Sequence, residues 1–148
     1  MPDATAPAPT PRPGRAVTYF EDVEVGAVLE TPGLTLTETH AALFGGFAGA
    51  STGGEGTVPE LLPLCVSSGL GWRIPKAPLA VAAFMGFEWQ FHLPLHVGDT
   101  IRSRSYTTAK RGMREGGVMV EHRDIVNQRG EVVQSGRLTL LIERRPAA

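Results

Sequence analysis

The sequence predicts an α+β fold in which a curved antiparallel sheet wraps around an apolar helix. Three observations lead there. Residues Leu61, Leu62, Leu64, Cys65, Val66 and Leu70 form an almost wholly apolar helical face, four later segments alternate with a period of two, and turn-rich joints separate those segments at hairpin spacing. The chain has 148 residues, 42% of them hydrophobic, which suits one domain around one core.

Residues 1–16 contain Pro2, Pro7, Pro9, Pro11 and Pro13 and little that can be buried, so they are expected to be a disordered Pro/Ala-rich tail. The folded domain is expected to span 17–146. It opens with aromatics ahead of a turn, Tyr19-Phe20-Glu21-Asp22-Val23-Glu24-Val25-Gly26, and Leu34-Thr35-Leu36 alternates like a short strand. Thr37 has the character of an N-cap, and Ala41, Leu43, Phe44, Phe47 and Ala48 follow at helical spacing. Gly45, Gly46 and Gly49 weaken that helix and leave its end open.

Thr57-Val58-Pro59-Glu60 has the spacing of a capping box and predicts the start of the apolar helix. Pro63 is expected to kink its first turns, and Gly69 and Gly71 mark its end before Trp72. Beyond it, Leu79–Phe91, Ile101–Thr108, Val118–Val126 and Val132–Glu143 read as four long strands. The joints 111–117 and 127–130 read as hairpin turns.

Charge and cysteine usage remove several function classes. Lys and Arg number 14 against 15 Asp and Glu, a formal net charge of -1, so no nucleic-acid or anionic-membrane partner is expected. The single Cys65 excludes an internal disulfide framework and a Cys-based zinc site. Its place on the apolar helix predicts that it packs as a small hydrophobe. The chain opens on Pro, Ala and Thr rather than on a basic then apolar leader, and no apolar run approaches the roughly 20 residues that span a bilayer. A cytoplasmic location is the expectation. His92 and His96 flank Pro94 with no carboxylate at ligand spacing, so no metal is expected.

The segment Phe91-His92-Leu93-Pro94-Leu95-His96-Val97-Gly98-Asp99-Thr100-Ile101 resembles the F-x-x-P-V-x-x-G-D-T-I signature of MaoC-like hydratases and dehydratases. Three further segments are similar to that family in the same order: Tyr19 to Gly26, Phe44 to Ala48, and Val58-Pro59-Glu60-Leu61-Leu62 through Ser68-Gly69-Leu70. The resemblance implies a hotdog fold, and hydration or dehydration of an enoyl thioester carried on coenzyme A or an acyl carrier protein, with no other cofactor. It further implies an Asp and a His, in an Asp-x-Asn-Pro-x-His motif, that activate water, and N–H groups at the central helix that polarise the thioester. This chain departs from the pattern at that point. After Phe47-Ala48 it reads Gly49-Ala50-Ser51-Thr52-Gly53-Gly54, with no Asp, Asn-Pro or His, and reaches the central helix far sooner.

Three readings follow. A repurposed enzyme of acyl or polyketide-type metabolism would use Glu60 or Glu55 as a replacement base, its pKa raised in an apolar cavity, with His40 as a further catalytic candidate. A noncatalytic chain would complete a hydratase whose active centre belongs to a second MaoC-like chain. A binding protein would hold an acyl ligand without turnover. Each candidate also has a plain structural reading: Glu60 as a capping residue, Glu55 as a solvated loop carboxylate, His40 as a surface imidazole in a first helical turn. Thr57, Leu61, Cys65, Trp72, Phe87 and Trp89 are the candidate substrate contacts. Phe87, Trp89 and Phe91 alternate onto one sheet face that helix or ligand should cover. A single such unit leaves a sheet edge open, so a homodimer is expected.

Overall fold

The computed structural model describes residues 16–147, so all of the expected tail except Ala16 lies outside the described residues. A 3-10 turn at Phe20–Asp22 leads to short strands β1 (Leu29–Glu30) and β2 (Leu34–Thr35), then helices α1 (Glu38–Ala48) and α2 (Leu62–Leu70). Four long strands follow: β3 (Val81–Phe91), β4 (Thr100–Met113), β5 (Gly116–Val126) and β6 (Val132–Ile142). The six strands form one antiparallel sheet in the order β1-β4-β5-β6-β3, with β2 also paired to β4. The α+β expectation and the four long strands are found.

Local chemistry explains most element ends. At the start of α1 the Thr37 hydroxyl accepts from the His40 N–H at 3.3 Å, and the Thr37 N–H donates to His40 Nδ1 at 3.1 Å. This is a reciprocal cap with His in the position usually held by Glu. The helix runs through Gly45 and Gly46 and stops at Gly49, whose φ of 93° a side-chain-bearing residue rarely adopts. The β4–β5 joint is tighter than expected: both strands continue to the Arg114-Glu115 turn. In the β5–β6 joint the Asn127 side-chain oxygen accepts from the N–H groups of Arg129 and Glu131, both at 3.0 Å, and replaces the missing ladder bonds.

The apolar helix starts later than the sequence predicts, and the Thr57/Glu60 capping box does not form. Thr57 pairs as an extended bridge with His96, and the Val58 N–H donates to the Leu95 carbonyl at 2.9 Å, so this stretch is spent on the sheet side. With the helix beginning at Leu62, Pro63 falls in its first turn. Its missing N–H would have had no partner there, and the expected kink loses its cause.

The core has two centres at opposite ends of the strands. Leu36, Val58, Leu62, Leu95, Ile101, Ile125 and Val133 are buried together at one, with Trp89 and Phe44 packed against them. Phe20, Val23, Met119, Leu140 and Ile142 form the other. Helix α2 buries Leu62, Pro63, Ser67 and Leu70, but Cys65 is exposed, contrary to its expected packing, because the sheet lies on the opposite side of the helix. No residue of α1 is buried, and Leu43 and Phe47 stand in solvent. At the far side β3 is an edge strand with Phe84, Met85, Phe87 and Phe91 exposed.

Candidate functional site: two cavities flanking the short helix

Strand register fixes what faces inward. Ser103 pairs with Ile125, Ser105 with Arg123 and Thr107 with Glu121; across β5–β6, Arg123 pairs with Gly136, Glu121 with Leu138 and Met119 with Leu140; across β6–β3, Gly136 pairs with Trp89, Leu138 with Phe87 and Leu140 with Phe84. Residues opposite one another share a face. The stretch between the two core centres therefore carries Ser105, Arg123, Thr107 and Glu121 rather than a continuation of the apolar core.

A cavity of about 290 Å³ opens over that stretch. The sheet supplies Ser103, Ser105, Thr107, Met119, Glu121, Arg123, Leu138 and Leu140, and the α2 side supplies Ser67, Ser68 and Trp72. Arg123 and Glu121 form a mostly buried ion pair: Nη2 lies 2.6 Å and Nε 2.7 Å from Glu121 Oε1. Arg123 Nη1 also donates to the Ser67 hydroxyl at 3.1 Å, which ties the sheet to α2. The pair was not among the sequence candidates. Its signal was the small hydroxyl residues Ser103, Ser105 and Thr107 alternating with Arg102, Arg104 and Tyr106. Two of the large residues point outward to form ion pairs, Arg102 with Glu30 and Arg104 with Asp124, which leaves the small ones inside.

A second cavity, of about 260 Å³, lies at the start of α2 and is lined by Ser51, Gly53, Thr57, Val58, Glu60, Phe91, His92 and Gln134 among others. Here Glu60 Oε1 accepts from the Thr52 N–H at 3.0 Å and from the Thr52 hydroxyl at 2.5 Å. The Thr52 hydroxyl beside it holds the Glu60 carboxyl below its ordinary value, helped by the backbone N–H groups of Glu60 and Thr52 and by the Ser51 hydroxyl. Burial acts in the opposite direction and loses. The raised pKa expected for a carboxylate in an apolar cavity is therefore not found at Glu60, because hydrogen bonds to the charged form outweigh desolvation. The Thr57 hydroxyl is 2.6 Å from the Ser51 hydroxyl and 2.6 Å from the Gly54 carbonyl. Gln134 locks the wall, accepting from Trp89 Nε1 and donating to the Glu60 carbonyl, both at 2.9 Å.

The remaining sequence candidates are scattered. Glu55 sits exposed on a turn and lines neither cavity. His40 is engaged in the α1 cap, on neither cavity wall. Trp72 lines the larger cavity and Thr57 the smaller, whereas Leu61, Cys65, Phe87 and Trp89 line neither. Trp89 packs on the first core centre, and the Phe84 and Phe87 rings lie 6.1 Å apart on the inner face of the edge strand. His92 Nε2 is 2.7 Å from the Ser135 hydroxyl. Among the described residues no three His, Cys, Asp or Glu side chains gather as metal ligands, and no helix is long and apolar enough to cross a membrane.

Comparison with known proteins fits this geometry. No protein-family model matches the chain, and no curated protein matches it in sequence. Solved structures do match. A monoamine oxidase regulatory protein from Archaeoglobus fulgidus is similar at TM-score 0.75 and 26% identity, over 88% of this chain and 97% of that one. A MaoC-like dehydratase from Rhodospirillum rubrum is similar at TM-score 0.70 and 18% identity, over 87% and 99%. A Mycobacterium tuberculosis protein described as having a double hotdog fold is similar at TM-score 0.72 and 21% identity, over 89% of this chain and 46% of its own length. The fold is the hotdog fold, and the resemblance to MaoC-like dehydratases noted in the sequence holds at the level of structure.

Proposed function

We propose that this chain serves acyl-thioester hydration or dehydration as a substrate-holding hotdog subunit, with the acyl chain lodged in the larger cavity. One observation carries the reading. The larger cavity has room for an acyl chain and apolar walls along its β6 side, while the three carboxylate and imidazole candidates are engaged or turned away from it. A general base must reach the proton it removes, and its pKa must lie near working pH. Glu60 lines only the smaller cavity and its lowered carboxyl is a weak base, and Glu55 and His40 line neither cavity.

Glu121, the carboxylate on the sheet wall of the larger cavity, is tied to Arg123, so on this reading the acid–base pair would come from a second hotdog chain. The free edge of β3, with Phe84, Met85, Phe87 and Phe91 exposed, is the surface that such a chain would extend. A second copy satisfies the same edge, so a homodimer is the expected resting form, and a chain bearing the Asp-x-Asn-Pro-x-His motif is the expected catalytic partner. A cytoplasmic site of action accords with thioester substrates carried on coenzyme A or a carrier protein.

A second reading rests on the smaller cavity. There Glu60 is ionised beside Ser51, Thr57 and His92, near the start of α2, and a rebuilt active centre would use it as the base. The two readings separate in one assay of the purified chain with a trans-2-enoyl thioester, following loss of the conjugated absorbance. The subunit reading expects no turnover by the chain alone, together with a change in Trp72 fluorescence on binding. Turnover abolished by the double change Glu55→Gln and Glu60→Gln would establish the rebuilt centre instead.

A further inference from the structure

We infer that the larger cavity selects an oxygenated acyl chain, one carrying hydroxyl or keto groups along its length, over a plain alkyl chain. The inference rests on the acyl-binding reading above and names the substrate class for that site. Its basis is the division of the cavity wall into two sides. Met119, Leu138, Leu140, Leu79 and Phe84 make one side apolar. On the other, β4 presents Ser103, Ser105 and Thr107, spaced about 6.8 Å apart as alternate residues of a strand.

These three residues are 3%, 9% and 8% exposed, and none of their hydroxyls bonds to another described residue. No fully buried side-chain nitrogen or oxygen lacks a partner among the described residues, so the hydroxyls must be reached from the cavity itself. They form a row of unused donors and acceptors turned toward the ligand space. The Arg123–Glu121 pair completes that side. Glu121 takes Nε and one Nη2 hydrogen, and Ser67 and Ser68 receive Nη1 at 3.1 and 3.5 Å. A guanidinium has five N–H groups, so one on Nη2 remains for a ligand oxygen.

The charge balance identifies the kind of oxygen. Glu121 already neutralises Arg123 inside the cavity, and the other charged lining residues, Asp22, Glu24 and Lys76, add no net positive charge, so the site suits a neutral hydroxyl or carbonyl rather than a carboxylate. Leucines in place of this pair would pack the same space without its desolvation cost, and a plain alkyl ligand would gain from them. An alkyl chain in the present cavity instead strips water from three hydroxyls and returns no hydrogen bond, whereas an oxygenated chain replaces that water.

The test compares S-decanoyl-N-acetylcysteamine with its 7-hydroxy and 7-keto counterparts, titrated into the full chain by calorimetry with Trp fluorescence as a second readout. The oxygenated probes should bind at least about tenfold tighter to the unaltered chain. That advantage should fall below about threefold in Ser105→Ala/Thr107→Val, and also in Glu121→Gln/Arg123→Met, which removes both charges so that neither is left buried alone. Equal affinity of the unaltered chain for all three probes overturns the inference and leaves acyl binding standing. Failure of every probe to bind overturns the acyl-binding reading as well.

Discussion

Glu60 Oε1 accepts two hydrogen bonds from a single residue, Thr52, at 3.0 Å from its backbone nitrogen and 2.5 Å from its hydroxyl. The contact closes the loop between α1 and α2 and makes Glu60 a clasp. It also assigns a direction to the titration of the group.

The Glu60 carboxyl titrates below its ordinary value because Thr52 and its neighbours bind the charged form. A carboxylate whose folded pKa is depressed adds stability above its unfolded pKa and loses it as pH falls through the folded value. Thr52→Val removes the hydroxyl bond, so the Glu60 titration should move up toward 4.5, the ordinary value. Carboxyl carbon NMR of both proteins reads this directly, and an unmoved titration would show that Thr52 does not hold the charge.

Gly136 lies beneath Trp89. A Cβ there would overlap the Glu88 carbonyl oxygen and Trp89 Cε3, and the backbone carbonyl cannot yield unless the two strands separate. Gly136→Ala should therefore loosen β3 from β6 and lower stability by about 2 kcal/mol or more, in the range of overpacked cores. Amide exchange should accelerate along β3 before the rest of the sheet; uniform exchange would contradict the close approach.

Leu36 is fully buried in the first core centre. Leu36→Ala should cost about 2–5 kcal/mol through lost burial and the cavity left behind. Chemical denaturation measures the change, and the slope with denaturant should stay constant. A cost under 1 kcal/mol would mean that the centre collapses around the smaller side chain.

The open β3 edge predicts association. Light scattering of the purified chain at micromolar concentration should give twice the chain's mass, and Phe87→Lys/Phe91→Lys should lower that mass by placing charge on the exposed aromatics. A clean monomer of the unaltered chain would remove the need for a partner at this edge.

The chain's own order of residues determined the elements whose signals are local. Val, Phe and Trp content marked β3, alternation marked β4 to β6, Thr37 marked the start of α1, and 127–130 marked the β5–β6 turn, since each depends on neighbours a few residues away. The start of α2 was decided in three dimensions. Thr57 and Glu60 carry the letters of a cap, but backbone pairing of Gly56 and Val58 with Val97 and Leu95 holds this stretch extended. The structural role of Glu60 moved with it, from the expected helix cap to a clasp on the loop at Thr52. The polar side of the larger cavity was also a tertiary outcome. Ser103, Ser105 and Thr107 alternate with residues that are polar too, so periodicity alone assigned no inner face to β4. Pairing with Ile125, Arg123 and Glu121, and the outward ion pairs of Arg102 and Arg104, turned the small hydroxyls inward.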